Sequence, residues 1–385
     1  MRSETATLRD MSTDITDNGI TIHFVGDFIA PRAAAVEMDS ALTALLAGAD
    51  YCAVNFEAPV ASAAAPAPKS GPSLSQDAAC PALLHRAGFN VFPLANNHIM
   101  DYGAEPALHT GELLAKGGQC FGLGRGSGAF APLYLSKNGI TVALLSATEL
   151  QFGIIHDLWT QSGDTGCAWL LHPLLTDAVS EARRKADFVI LVAHAGLEGE
   201  LLPLPEWRDV YRRFIDTGCD AVIGGHTHTP QGYELWHGKP IFYSLGNFCF
   251  PAGIAATRWG HTGECVSLTM TREGLSFALR GTICDNFRLS LMPETDWQKM
   301  LSHLQSLLSG DGYIGRVNEM CLRHLADYYK LCSMGGYIHP DGHILKSIVR
   351  FLRGNCRSVH MLNNLQCESH RWTFARALRL KDGIR

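Results

Sequence analysis

The stretch VIGGHTHTPQG, residues 222–232, sets His226 and His228 one residue apart, after two glycines and an apolar run. A strand that runs into a tight turn there can aim both imidazoles at one point. Four other apolar runs end alike: TIHFVGDF at Asp27, ADYCAVNFE at Glu57, FNVFPLANNH at Asn97 and His98, and ADFVILVAHAG at His194. Sites in open α/β sheets form at the carboxyl ends of strands, so these endings predict one shared site. Carboxylate, amide oxygen and imidazole without thiolate suit one or two Mn²⁺, Fe²⁺ or Zn²⁺ ions and argue against a structural cysteine-type zinc site. Glu57 can bridge two ions about 3.5–4 Å apart, a spacing that acidifies a shared water and holds substrate oxygens. His98, beside a candidate ligand, suits a general acid or a group that stabilises developing charge.

Such residues need a scaffold that brings distant segments together. Apolar runs separated by helix-like segments, as at 104–116 and 176–186, predict an α/β fold with a buried sheet. KPIFYSLGNFCF, ECVSLTMT and LSFALRGTI follow without helices between them and predict further, antiparallel strands. The Ala/Pro/Ser-rich residues 60–75 read as a surface loop. Beyond residue 292 the pattern turns helical, with Met300, Leu304, Leu307 and Leu308 at helical spacing. The organisation expected is a disordered leader over 1–19, a main domain over 20–292 and a helical region over 293–385. CESHRW, residues 367–372, is polar within an apolar helix and is expected to pack back toward the site.

Composition narrows the function classes. The chain has 385 residues, 46% hydrophobic and 18% charged, enough for a sizeable core. A net charge of −5 and scattered basic residues argue against a nucleic-acid partner. No run is long and apolar enough for a transmembrane helix, and the N-terminus lacks the apolar core of a secretory signal. The 12 cysteines form no CxxC pair, which predicts reduced thiols and a cytoplasmic protein.

Several further residues carry two readings. Lys69 and Ser70, in KSGPS, form an anion clamp for substrate or an exposed turn. Arg32 reaches the site or is solvated. Asn247, in YSLGNF, contacts substrate, supports a ligand or shapes a turn. Glu198 and Glu200 supply an acid near the site or belong to a polar loop. GLGRGSG, residues 122–128, lacks the phosphate-loop pattern and reads as a flexible connection. His324, His339, His343, His360 and His370 read as structural or surface groups.

In chain order, GDF, NFEAPV, ANNHIMDYG, HAGLEGE, GGHTHTPQG and IFYSLGNFCF resemble the CapA family of poly-γ-glutamate capsule synthesis proteins, within the calcineurin-like metallophosphoesterase superfamily. The resemblance spans residues 21–290 and implies an α/β, four-layer αββα sandwich with the helical region appended. It implies one metal on Asp27, Glu57 and His228 and a second on Glu57, Asn97, His194 and His226, with His98 catalytic and Asp101 orienting it. Two departures stand out: the usual Asp-x-His motif is Asp27-Phe28-Ile29, one ligand short, and the bridging position holds Glu57 in place of Asp. The implied activity is metal-dependent hydrolysis of a phosphoester or amide-type bond in a small or peptide-like anionic substrate of poly-γ-glutamate or envelope metabolism. The alternatives are a peptide epimerase, which removes and returns a Cα proton, and a non-catalytic accessory to polymer synthesis.

Overall fold

The apolar runs that end in polar residues form parallel strands buried on both faces, the pattern expected where helices cover a parallel sheet. The computed structural model describes residues 7–8, 18–155, 164–251, 259–333, 345–346, 348–349 and 358–384. Most of the expected leader, His339, His343 and the His360 side chain lie outside them.

Two large sheets organise the molecule. In the first, Ile20–Phe28, Tyr51–Phe56, Val91–Pro93 and Gln119–Phe121 run parallel in that order. Thr262–Met270 and Leu275–Asp285 extend it antiparallel on the other side of Ile20–Phe28. The short strand Thr7–Leu8, within the expected leader, pairs with Leu275–Asp285. In the second sheet Ile140–Thr148, Phe188–His194, Ala221–Gly225 and Lys239–Phe242 are parallel neighbours. The antiparallel expectation thus holds for 262–285, whereas Lys239–Phe242 joins the parallel set and is antiparallel only to Tyr233–Trp236.

Three cores define four layers. Helices α1 (Ser40–Ala47), α2 (Cys80–Arg86) and α3 (Ala104–Leu114) cover the first sheet, burying Leu42, Leu46, Leu84 and Leu114 against Val54 and Phe92. Ile22, Phe24, Leu144, Ile190 and Ile223 meet between the sheets. Helices α4 (Pro173–Lys185) and α5 (Pro205–Thr217) cover the second sheet. In α5 the buried residues Trp207, Val210, Tyr211, Phe214 and Ile215 make one stripe; Pro205 opens the helix and Gly218 closes it.

The later helices share these cores. α6 (Glu294–Leu308) inserts Trp297, Met300 and Leu304 between the sheets, while α7 (Tyr313–Ser333) adds Val317 and Met320 to the outer core. α8 (Ser358–Gln366) and α9 (Glu368–Asp382) follow, and α9 packs on α7. The GLGRGSG segment is more ordered than expected: Leu123–Arg125 is a strand paired with Thr165–Ala168, and Gly126–Phe130 is a 3₁₀ turn, so backbone pairing fixes it.

One polar group interrupts the inter-sheet core. Glu264 lies on the same face of its strand as Val266 and Leu268, is 2% exposed, and its Oε1 accepts no hydrogen bond. Burial holds its carboxyl well above the usual range. A folded-state pKa raised above the unfolded one adds stability below the unfolded pKa, lost as pH rises toward the folded value. Glu264→Gln is therefore expected to be more stable than the wild type at pH 8, by about 1–3 kcal/mol. The gap should shrink at pH 5, as read by urea denaturation at both pH values.

Candidate metal centre and active site

Both sheets deliver their polar strand ends to one place, and in both a glycine makes the approach possible. A Cβ on Gly26 would lie 2.0 Å from the Gly246 carbonyl oxygen, and one on Gly224 would lie 2.0 Å from that of Tyr243. The chain then turns sharply through GHTH, where His226 and His228 adopt φ of 87° and 56°. Left-handed backbone at two non-glycine residues is costly and concentrates at functional sites. Thr227 Oγ1 donates to Thr229 O at 2.8 Å and Thr229 Oγ1 donates to Glu200 O at 2.8 Å, which holds the turn.

Four donor atoms converge on a first point. His194 Nε2 lies 2.9 Å from Asn97 Oδ1, 3.1 Å from His226 Nδ1 and 3.7 Å from Glu57 Oε1. A second group shares Glu57: His228 Nε2 is 3.7 Å from its Oε1, and His228 Nδ1 is 3.6 Å from Asp27 Oδ2. Glu57 with His194 and His226, and Asp27 with Glu57 and His228, each present ligand atoms within 4.8 Å of one another. All five residues are buried.

The electrostatics fit a cation. Glu57 is 0% exposed and neither carboxylate oxygen has a hydrogen-bond partner. Burial, then the charge of Asp27 and other carboxylates, holds it well above its usual range. Burial, followed by the neighbouring His226, His228 and His98, pushes His194 well below the ordinary imidazole value. An unpartnered buried carboxylate against a neutral imidazole is an arrangement a divalent ion would complete.

A separate pair stands beside this group. His98 Nδ1 lies 2.8 Å from Asp101 Oδ2, which also accepts the Leu74 N–H at 2.6 Å. Burial lowers the His98 pKa, against the Asp101 hydrogen bond. Lys69 does not face outward as a clamp. Its ammonium pairs with Asp101 Oδ1 and sits 3.2 Å from His98 Nδ1, because a side chain only 7% exposed needs a carboxylate beside it. Ser70 is half-buried and Arg32 is exposed at the cap of the turn Ala33–Ala35; among the described residues neither bonds to the donor group. Asn247 directs its polar atoms into the protein: Oδ1 meets His228 Nδ1 at 3.0 Å and Nδ2 donates to Gly260 O at 2.8 Å. It therefore fits the support of His228 better than contact with substrate. Glu198 stands at the rim with a 57% exposed side chain, 3.9 Å from His226 Nε2. Glu200 is tied to α7 by His324 at 2.7 Å and Arg323 at 3.1 Å. His324 thereby has a definite partner.

Three residues of this neighbourhood escaped sequence reasoning. Asn55 Nδ2 donates to Asp27 Oδ1 at 2.7 Å and lies 3.2 Å from His194 Nδ1; Asn96 Nδ2 in turn donates to Asn55 Oδ1 at 3.0 Å. Glu149, fully buried, lies 3.1 Å from His226 Nε2. Burial pushes Glu149 up, but His226 and the Ser369 side chain outweigh it and hold the carboxyl below its usual value. Burial likewise lowers His226, yet Glu149, Glu198 and Asp27 together raise it above the ordinary value. Glu149 had one available signal, since it is a polar residue directly following an apolar strand, whereas Asn55 lies inside one. Ile29, where the resemblance expects a histidine, is buried with Ala58, Leu74 and Phe250, and the Phe250 ring lies tilted against His228 with centroids 4.4 Å apart. Apolar packing thus replaces a ligand beside the Asp27 group.

The sequence matches the family described as bacterial capsule synthesis protein PGA_cap over residues 21–252. It is 29% identical over 270 residues to the PGA biosynthesis protein CapA of Bacillus subtilis (strain 168), covering 67% of this chain and 69% of that one. It is 30% identical over 179 residues to the capsule biosynthesis protein CapA of Bacillus anthracis, covering 45% of this chain and only 43% of that relative. Among solved structures, a putative 5'-nucleotidase from Staphylococcus aureus in complex with alpha-ketoglutarate is 18% identical, with a TM-score of 0.43 over 75% of this chain and 59% of that one.

Adding Mn²⁺ or Zn²⁺ to chelator-treated protein is expected to raise its melting temperature. An ion at 100 times its Kd adds about 2.7 kcal/mol. Glu57→Gln, which removes the carboxylate common to both groups, should abolish most of the rise. An undiminished rise in that variant, followed by differential scanning fluorimetry, would rule Glu57 out as the shared ligand.

Proposed function

Because the chain belongs to the bacterial capsule synthesis protein family, we propose that it is a metal-dependent hydrolase acting on an anionic, peptide-like or phosphoester substrate of poly-γ-glutamate metabolism. The observation that carries this reading is the buried, unpartnered Glu57 carboxylate shared by two donor groups, with the His98–Asp101 pair beside it. The substrate class follows the names of the Bacillus relatives, which tie those proteins to PGA and capsule biosynthesis.

In this reading Asp27, Glu57 and His228 hold one cation, and Glu57, Asn97, His194 and His226 hold a second. Bound there, the ions supply Lewis-acid polarisation of substrate oxygens. The chain's own residues do the rest. Asn55 fixes the Asp27 carboxylate and Asn247 fixes the His228 ring. Asp101 holds His98 by Nδ1, which leaves Nε2 to move a proton to or from the leaving group. Lys69 acts through Asp101: it balances that carboxylate's charge and keeps a second cation from forming at His98. The Ile29–Phe250 packing excludes water from one side of the His228 ring.

The test is turnover of p-nitrophenyl phosphate, bis(p-nitrophenyl) phosphate and γ-glutamyl p-nitroanilide by the metal-loaded chain. His98→Gln is expected to lower kcat roughly 10²–10⁴-fold with metal content unchanged. A variant that keeps wild-type kcat removes His98 from the mechanism. Full metal loading without turnover of any of the three points instead to the accessory role. Deuterium entering a peptide substrate from heavy water without bond cleavage points to epimerisation.

A further inference from the structure

The polar end of α9 lies against the candidate metal centre, and its contacts converge on Glu149. This residue follows the strand Ile140–Thr148, in which Thr148 is registered against His194, and its own N–H donates to His194 O at 3.2 Å. Its side chain runs to the outer nitrogen of His226, with Oε1 3.1 Å from Nε2. The inner nitrogen of the same ring, Nδ1, faces His194 Nε2 at 3.1 Å and so belongs to the converging donor group. An imidazole that offers a lone pair through Nδ1 carries its proton on Nε2, where Glu149 stands as acceptor.

Residues 367–369 hold the other side of this carboxylate. The Ser369 N–H donates to Glu149 Oε2 at 3.1 Å, and Cys367 Sγ lies 3.4 Å from the same oxygen. Between them Glu368 turns to the next residue of the strand end, accepting the Leu150 N–H at 2.7 Å and the Trp169 Nε1–H at 3.1 Å. α9 is itself fixed to α5, since Trp207 Nε1 donates to Ser369 Oγ at 2.8 Å and Arg376 donates to Glu206 at 2.6 Å. The first turn of a 15-residue helix also favours a negative charge placed at its N–H groups.

We infer that Glu149 is a positioning residue for the metal centre, fixing the tautomer and ring orientation of His226, and that the C-terminal helix α9 holds Glu149 in place. This rests on the metal-centre reading above. A carboxylate that accepts the second N–H of a ligating histidine sets which nitrogen faces the metal and raises its basicity, and loss of such a partner typically costs 10–100-fold in affinity. By this inference residues 367–369 are part of the site although none of them is a ligand.

The test measures Co²⁺ binding to the full chain by titration calorimetry and by the visible absorption of the bound ion. Two variants are compared with the wild type. Glu149→Gln removes the charge at nearly constant shape. Ser369→Pro removes both the N–H that Glu149 accepts and the Oγ that accepts from Trp207, in the first turn of the helix where proline is tolerated. In both, one Co²⁺ is expected to bind about 10–100-fold more weakly, with an altered absorption spectrum. Wild type that binds no Co²⁺ overturns the metal-centre reading itself. Wild type that binds while both variants keep its affinity and spectrum overturns only the role of Glu149 and α9. If Glu149→Gln does not fold, Ser369→Pro alone decides.

Discussion

A fully buried carboxylate with no hydrogen-bond partner is the constraint on which the rest of this structure depends. Removing an ion from water costs several kcal/mol, and Glu57 recovers none of that cost through hydrogen bonds to the protein. Asp27 adds a second buried carboxylate nearby, whose Oδ1 is met by the Asn55 amide and whose Oδ2 is met by the His226 N–H at 3.2 Å. The His194 imidazole does not neutralise this charge, since burial and the neighbouring imidazoles disfavour its protonation. Protons and divalent cations therefore compete for the same place, and occupation by a cation offsets both the carboxylate desolvation and the crowding of imidazole nitrogens.

The two-sheet architecture follows from that constraint. No single strand end can bring five buried ligands together, because successive side chains on a strand point to opposite faces. Two mixed sheets facing each other across an apolar core can, since each contributes the carboxyl ends of several parallel strands at one edge. Gly26 and Gly224 permit the last increment of approach in their respective sheets, just before Asp27 and just before the GHTH turn. The left-handed conformations of His226 and His228 are then held by the bonds around Thr227 and Thr229 rather than by local preference.

Much of this was legible in the sequence, for a physical reason. A strand buried on both faces reads as an unbroken apolar run, so the polar residue at which it stops is conspicuous; Asp27, Glu57, His194 and the GHTH pair all announce themselves this way. Asn97 and His98 stand out because an amide and an imidazole follow a short apolar strand. What stayed hidden depends on register and on distant chain. Asn55 sits within an apolar run, and nothing local shows that its amide spans Asp27 and His194. Lys69 lies in a Pro/Ser-rich stretch that reads as a loop, and only the tertiary path of the chain carries its ammonium inward to Asp101. Glu149 ends an apolar run as the others do, yet its partners on α9 lie 218 and 220 residues away. The polar CESHRW segment signalled that α9 turns toward the site; spacing alone does not identify the carboxylate it meets.

The position of α9 also bears on how the fold and the site cohere. Glu149 is buried beside His226, and its Oε2 is satisfied by the Ser369 N–H and the Cys367 thiol, both on the C-terminal segment. Without that segment a carboxylate would stay in the interior with its charge uncompensated on that side, a cost borne by the second sheet at the point where it meets the donor group. Conversely, α9 is seated on α5 through Trp207, whose ring lies 4.9 Å from Trp372 and belongs to the outer core of that same sheet. The outer core, the C-terminal helix and the His226 side of the donor group therefore stand in series, each satisfying a buried group of the next. Elements coupled in this way order together, which makes the geometry of His226 depend on α9 and the outer core as well as on the strand end that carries it.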